Sequence, residues 1–196
     1  MRFASDPAPR WYRLSHRARF KRLHKVRIAC CRKYSRRPED QRGRTIHLDG
    51  AWISDVPSFY LSMGEAVNGP FGYFGTCLDS LADCLNGGFG VRYPLTIRIT
   101  HVSKMRKALD ALAWCLYRAE SFREVVDWED TAQLVDWGYF ADGSEAEVAR
   151  KTAIYEAALA GESFDCSDFR SYFDKILEIF ADHRVELILE NDDPLD

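Results

Sequence analysis

Apolar and polar residues alternate, or nearly so, at three places in the chain: Thr45–Leu48, Leu95–Ile99 and Val185–Leu189. Each run reads as a β-strand. Between the first two, the apolar spacing becomes helical. A helix is expected to begin near Ser54 or Asp55, with Pro57 early, where its missing N–H is harmless. It runs through Phe59, Leu61, Met63 and Val67 until Asn68-Gly69-Pro70 ends it. Leu78, Leu81 and Leu85 then fall on one face of a second, shorter helix, closed by Asn86-Gly87-Gly88. Past the second strand, Met105, Leu109, Leu112, Ala113 and Leu116 predict a helix over Ser103–Ala119. Ser144-Glu145-Ala146-Glu147 has the form of a capping box, so another helix should start at Ser144 and stop near Gly161. Phe169, Phe173, Ile176, Leu177 and Phe180 mark a last amphipathic helix ahead of the third strand.

Strand, two helices, strand, several helices, strand is the order of an α/β layer. Helical connections of this length call for parallel pairing. The expected fold is a small three-stranded parallel sheet flanked by helices, with an additional helical insertion at about 104–163. Pattern alone leaves the first strand either at an edge or between two partners.

Charge divides the chain unevenly. Residues 1–44 carry 15 Lys+Arg against Asp6, Glu39 and Asp40, a net +12 that leaves −15 on the remainder of a chain whose total is −3. Phe20, Leu23 and Val26 to Ile28 can line a short basic helix between Ser15 and Cys31, and Pro38-Glu39-Asp40 reads as a turn or linker. So little apolar surface predicts a basic extension that is poorly ordered and dispensable for folding. A nucleic-acid-binding arm and an upstream extension from a misplaced start codon are the other two readings of this segment. Residues 45–190 then form the folded domain, and 191–196 an acidic tail. A net −15 on that remainder favours a positively charged partner surface.

Other classes find little support. No run approaches the ~18 apolar residues of a membrane span, and the basic N-terminus lacks the apolar core of a secretory signal. The six cysteines show no CxxC pair and no framework spacing, as expected of reduced thiols in a cytoplasm. His16, His24, His47, His101 and His183 lack metal-ligand spacing, and no nucleophile elbow or phosphate loop is present. Neither metal nor cofactor is expected.

The candidate chemistry lies on the short helix. Asp79 and Asp83 sit four apart, opposite the leucine stripe, so both carboxylates project from one exposed face. Like charges at this spacing cost a helix ~0.2–0.5 kcal/mol. They read either as a solvated polar face or as a charged contact surface. Tyr73-Phe74-Gly75 before the helix and Asn86-Gly87-Gly88-Phe89-Gly90 after it supply aromatic anchors and backbone that a partner can approach closely. Between Asp127 and Glu147, seven acids interleave with Trp128, Trp137, Tyr139 and Phe140 without one Lys or Arg. That stretch reads as a solvated insertion or as a widening of the interface.

LDGAWISDVPSFYLSMGEAV, GYFGTCLDSLADCLNGGFG, YPLTIRI and FRSYFDKILEIFADHRVELIL, in this order, resemble the barstar family. The most specific fragment runs from Tyr73 to Leu85. The resemblance spans about 45–103 and 164–190, and implies an intracellular inhibitor, an immunity protein that plugs the active site of a secreted barnase-like ribonuclease. On that pattern Tyr73, Phe74 and Gly75 belong to the loop before the binding helix. Asp79 and Asp83 are its partner-facing acids, Asn86 and Gly87 follow, and Glu178 is the nearest match to a further acid on the last helix. A carboxylate there stands in for substrate phosphate among the ribonuclease's cations. The sequence departs from the family at Ala82 and Cys77, where barstar has an aromatic and an amide. It departs again in a longer Gly87–Tyr93 loop and in about sixty extra residues after Ile99.

An enzyme would need these carboxylates in a cleft, not on an open face. Cys77 or Cys84 with His101 as nucleophile and base is weaker still. The implied partner is thus a basic ribonuclease or related toxin, not a membrane, a small molecule or nucleic acid. The alternatives are a barstar-fold protein with another partner and a nucleic-acid-associated regulator using the basic arm.

Overall fold

The computed structural model describes residues 8–32, 38–125, 131–136, 138–141 and 143–191. The chain divides into two compact units, one of Met1–Ala108 with Phe173–Asp196 and one of Leu109–Tyr172.

The first unit is built on β1 (Gln41–Asp49), β2 (Val91–Thr100) and β3 (Glu186–Leu189), all parallel, with β2 in the centre. β1 therefore takes the edge position, and it starts four residues before the strand expected from Thr45. Ile46 lies opposite Ile97, and Ile97 opposite Leu187; Leu48, Ile99 and Leu189 form the next row. Ile46, Leu48, Ile97 and Ile99 are buried. The alternate face is polar: Thr96 donates to Glu186 at 2.7 Å and Arg98 pairs with Glu190. Successive right-handed crossovers that step one way across a parallel sheet deliver their helices to one face, which agrees with this one-sided burial. The crossover from β1 to β2 contains α2 (Val56–Asn68) and α3 (Leu78–Leu85), and α8 (Tyr172–Asp182) leads into β3, with Phe173, Ile176 and Phe180 buried.

The expectation of a poorly ordered tail is corrected over residues 8–32. α1 (His16–Arg32) packs against α2, burying Phe20, Leu23 and Val26. Trp11 is also buried, its indole N–H donating to Glu65 at 3.0 Å. The apolar residues are few, but they share one face. The charge that must be buried with them, Arg19, meets Asp55: the guanidinium donates to its carboxylate at 2.6, 2.9 and 3.1 Å. It also donates to the backbone oxygens of Tyr12 and Leu14. Asp55 is at the same time the N-cap of α2, accepting from the Ser58 N–H at 2.9 Å while Ser58 Oγ accepts from the Asp55 N–H. Burial alone would raise the Asp55 pKa. Hydrogen bonds to His16 and Arg19, the Arg19 charge and the Ser58 N–H outweigh it and hold the carboxyl down at about 2.

The second unit is helical. α5 (Ala111–Val125) packs against α7 (Glu145–Ala160), and α6 (Thr131–Asp136) lies between them in sequence. Cys115, Ala119, Phe122, Tyr139, Phe140 and Tyr155 are in its core. The single helix expected over Ser103–Ala119 is instead two. α4 (Val102–Ala108) stays with the first unit, and α5 restarts where the Asp110 side chain accepts from the Ala113 N–H at 2.8 Å. The compact unit thus begins and ends later than the expected 104–163. Ser144 caps α7 by accepting from the Glu147 N–H, and Gly161 follows its last turn. The Glu147 carboxylate also takes the N–H groups of Ala141 and Gly143. Phe169 precedes α8 and packs edge-on to Trp114. Ser171 Oγ donates to the Leu109 carbonyl at 3.5 Å, so the chain enters and leaves this unit side by side. Asp127, Trp128, Glu129, Asp130, Trp137 and Asp142 of the acid-and-aromatic stretch lie outside the described residues, as does 192–196.

Candidate functional site

α3 is an eight-residue helix whose N-cap is Cys77. Ser80 closes the first turn: its hydroxyl accepts from the N–H groups of Thr76 and Cys77 at 2.7 and 2.9 Å. Leu81, Cys84 and Leu85 are buried, with Leu78 half-buried. On the opposite side Asp79 and Asp83 are exposed. Neither carboxylate has a hydrogen bond or ion pair with another described residue. Two uncompensated acids on one rigid face form an anion-like surface suited to cations.

The flanking loops are held by residues that the sequence reading passed over. Asn68, at the end of α2, donates its amide to the carbonyls of Tyr73 at 2.8 Å and Phe89 at 3.0 Å, clamping the entry and exit of α3 together. Asp40, read as part of a linker, accepts from the Gly88 N–H at 2.7 Å and the Gly90 N–H at 3.0 Å. Arg44 donates to the carbonyls of Val67 at 2.9 Å and Gly90 at 3.1 Å, joining the last turn of α2 to the same loop. An amide before Gly-Pro was the only local hint, and it pointed to helix termination. Asp40 and Arg44 carried no signal, because their partners lie 22 to 50 residues away.

Within this frame the candidate residues separate. Tyr73 is half-buried, its ring 5.8 Å from that of Phe89, and burial pushes its hydroxyl pKa up to about 12. Gly75 has φ +88°, and a Cβ there would sit 3.0 Å from the Leu81 nitrogen, so the turn into α3 requires glycine. Asn86 is exposed at the C-cap. Gly87 has φ +109°, and a Cβ would come within 2.8 Å of the Asp40 carboxylate. Phe74 is the exception: it is completely buried. An aromatic beside a binding loop suggested an anchor, but this side chain serves the core and offers a partner nothing. Glu178 is exposed on α8 and engaged by Lys175. It is not among the groups that Asn68, Asp40 and Arg44 gather.

Among the described residues, no cluster of three His, Cys, Asp or Glu could hold a metal ion, and no helix is long and apolar enough to cross a membrane. Residues 43–135 match the family model for barstar (barnase inhibitor), a span that takes in α3, both flanking loops and the first two strands. It continues past Ser103 to the end of the 131–135 stretch and stops before 164–190. No curated protein and no solved structure matches the chain.

Proposed function

The chain carries a barstar-family domain, and from that premise we propose that it is an intracellular inhibitor of a barnase-like ribonuclease or related toxin. Its α3 face occupies the cationic active site of that enzyme. The observation that carries this reading is the pair Asp79 and Asp83: exposed, without internal partners, and presented on a helix whose loops are braced at both ends. Two carboxylates about one helical turn apart offer oxygens to Arg and Lys side chains that otherwise hold the phosphates of RNA. Steering between an acidic inhibitor face and a basic enzyme speeds their encounter. The family's members inhibit and do not catalyse, and an open helix face provides no dry cleft for acid–base chemistry.

The test is Asp83→Ala. If Asp83 enters the active site, its removal leaves the partner's cations buried without compensation, a loss of ~3–5 kcal/mol, or roughly 10²- to 10⁴-fold in Kd. Folding should hold to within ~0.5 kcal/mol, because the side chain is exposed and makes no hydrogen bond or ion pair with a described residue. Calorimetric titration against barnase, with thermal unfolding of the same variant, measures both. Inhibition that survives the substitution removes the acidic-helix mechanism.

A further inference from the structure

The exposed face of α3 presents two carboxylates and the methyl of Ala82. It has no aromatic and no Arg, the residues in which protein interfaces are enriched. Among the described residues Phe71, in the loop that leads to Tyr73, is an aromatic exposed to solvent. Phe71 is 62% exposed and held at φ +61°, a left-handed conformation that costs a non-glycine residue about 1–2 kcal/mol. Its ring lies against Arg22 of α1, with the guanidinium carbon 4.5 Å from the ring centroid. Arg22 has no ion pair among the described residues, and its Nε is buried without a hydrogen-bond partner. The guanidinium is thus oriented by stacking on the ring, with no ion pair to a described residue. Tyr73 connects this pair to α3: it stands two residues after Phe71 in the loop that enters the helix, half-buried, with its ring 5.8 Å from that of Phe89 in the loop that leaves it.

We propose that the partner-binding face continues from α3 across Tyr73 onto α1, where Phe71 is an apolar anchor and Arg22 receives a carboxylate of the same partner protein. The partner this surface fits has a cationic pocket for Asp79 and Asp83, bordered by an apolar recess and an acidic side chain. α1 lies outside the span that matches the family model, so this second contact would set specificity beyond what the family's helix provides. The inference rests on the ribonuclease-binding reading of α3.

The experiment uses the full chain and barnase as probe, with Asp83→Ala, Phe71→Gly and Arg22→Gln measured side by side. Phe71→Gly should weaken binding by about tenfold or more, the worth of burying most of a phenylalanine side chain. Its Tm should stay the same or rise, since glycine accepts the left-handed backbone. Arg22→Gln should also weaken binding. If Asp83→Ala loses affinity while Phe71→Gly and Arg22→Gln bind like the wild type, the second contact is wrong and the α3 reading stands. A fall of several degrees in Tm for Phe71→Gly would make the pair a lock between α1 and the loop, which also overturns the proposal. Failure of the wild type to bind barnase overturns both.

Discussion

Asp55→Ala should be among the most damaging single substitutions in the chain, although Asp55 is not among the proposed partner-binding residues. The side chain does two jobs. It caps α2, a role worth ~1 kcal/mol. It also neutralises Arg19, which is 8% exposed and bound through three contacts of 2.6 to 3.1 Å. Removing one member of a buried pair costs ~3–5 kcal/mol, because the other charge stays buried alone. The two effects overlap, so a loss of ~4 kcal/mol is expected from a total that for most domains is only ~5–15 kcal/mol. Acid offers a second measurement. The Asp55 carboxyl titrates at about 2 in the fold against 3.8 in its absence. The group's stabilisation is therefore complete above its unfolded pKa and is lost as pH falls through the folded one. A depression of this size corresponds to ~2.4 kcal/mol, vanishing between about pH 5 and pH 1. Urea unfolding followed by circular dichroism, at pH 7 and at steps down to pH 2, should show wild type losing this increment and Asp55→Ala lacking it. A loss below ~1 kcal/mol at pH 7, or parallel acid profiles for the two proteins, would refute the argument.

Two further outcomes follow from the same packing. A chain that begins at residue 38 loses the buried Trp11, Phe20, Leu23 and Val26 and strands Asp55, so it should melt many degrees lower and bind a hydrophobic dye; an unchanged Tm would return residues 8–32 to the status of a tail. Asn68→Ala frees the carbonyls of Tyr73 and Phe89, and should cost ~1–3 kcal/mol in urea unfolding while also weakening barnase binding from a position that makes no contact with it.

Local pattern made the periodic part of this protein legible. The alternation at Leu95–Ile99 and Val185–Leu189 located β2 and β3, and the leucine spacing located α3, because each depends on residues close in sequence. The fold class and the exposure of Asp79 and Asp83 followed from the same signals. Phe74 was misjudged because composition cannot tell an anchor from a core residue when both are aromatic. α1 was underestimated for a different reason. Its apolar face is narrow, and the charge buried with it, Arg19, is paired with an acid that lies 36 residues on, at the cap of another helix. Asn68, Asp40 and Arg44 were invisible on the same ground: each is an ordinary polar residue until the fold supplies its partner. The Ser103–Ala119 stretch kept helical spacing across a break that Asp110 makes by capping, and apolar periodicity does not register a cap.

The meeting of Ser171 with Leu109 bears on how the sheet assembles. Closing a flexible chain becomes entropically harder with its length, by about 0.6 kcal/mol per doubling. A long excursion between β2 and β3 would therefore slow the pairing of the last strand. Because the helical unit has its own core and returns the chain to where it left, folding of that unit ahead of the last strand would convert the excursion into a short effective loop. β3 then approaches β2 almost as if the unit were absent, so a polypeptide of this length can form a three-stranded parallel sheet with the search time of a much smaller domain.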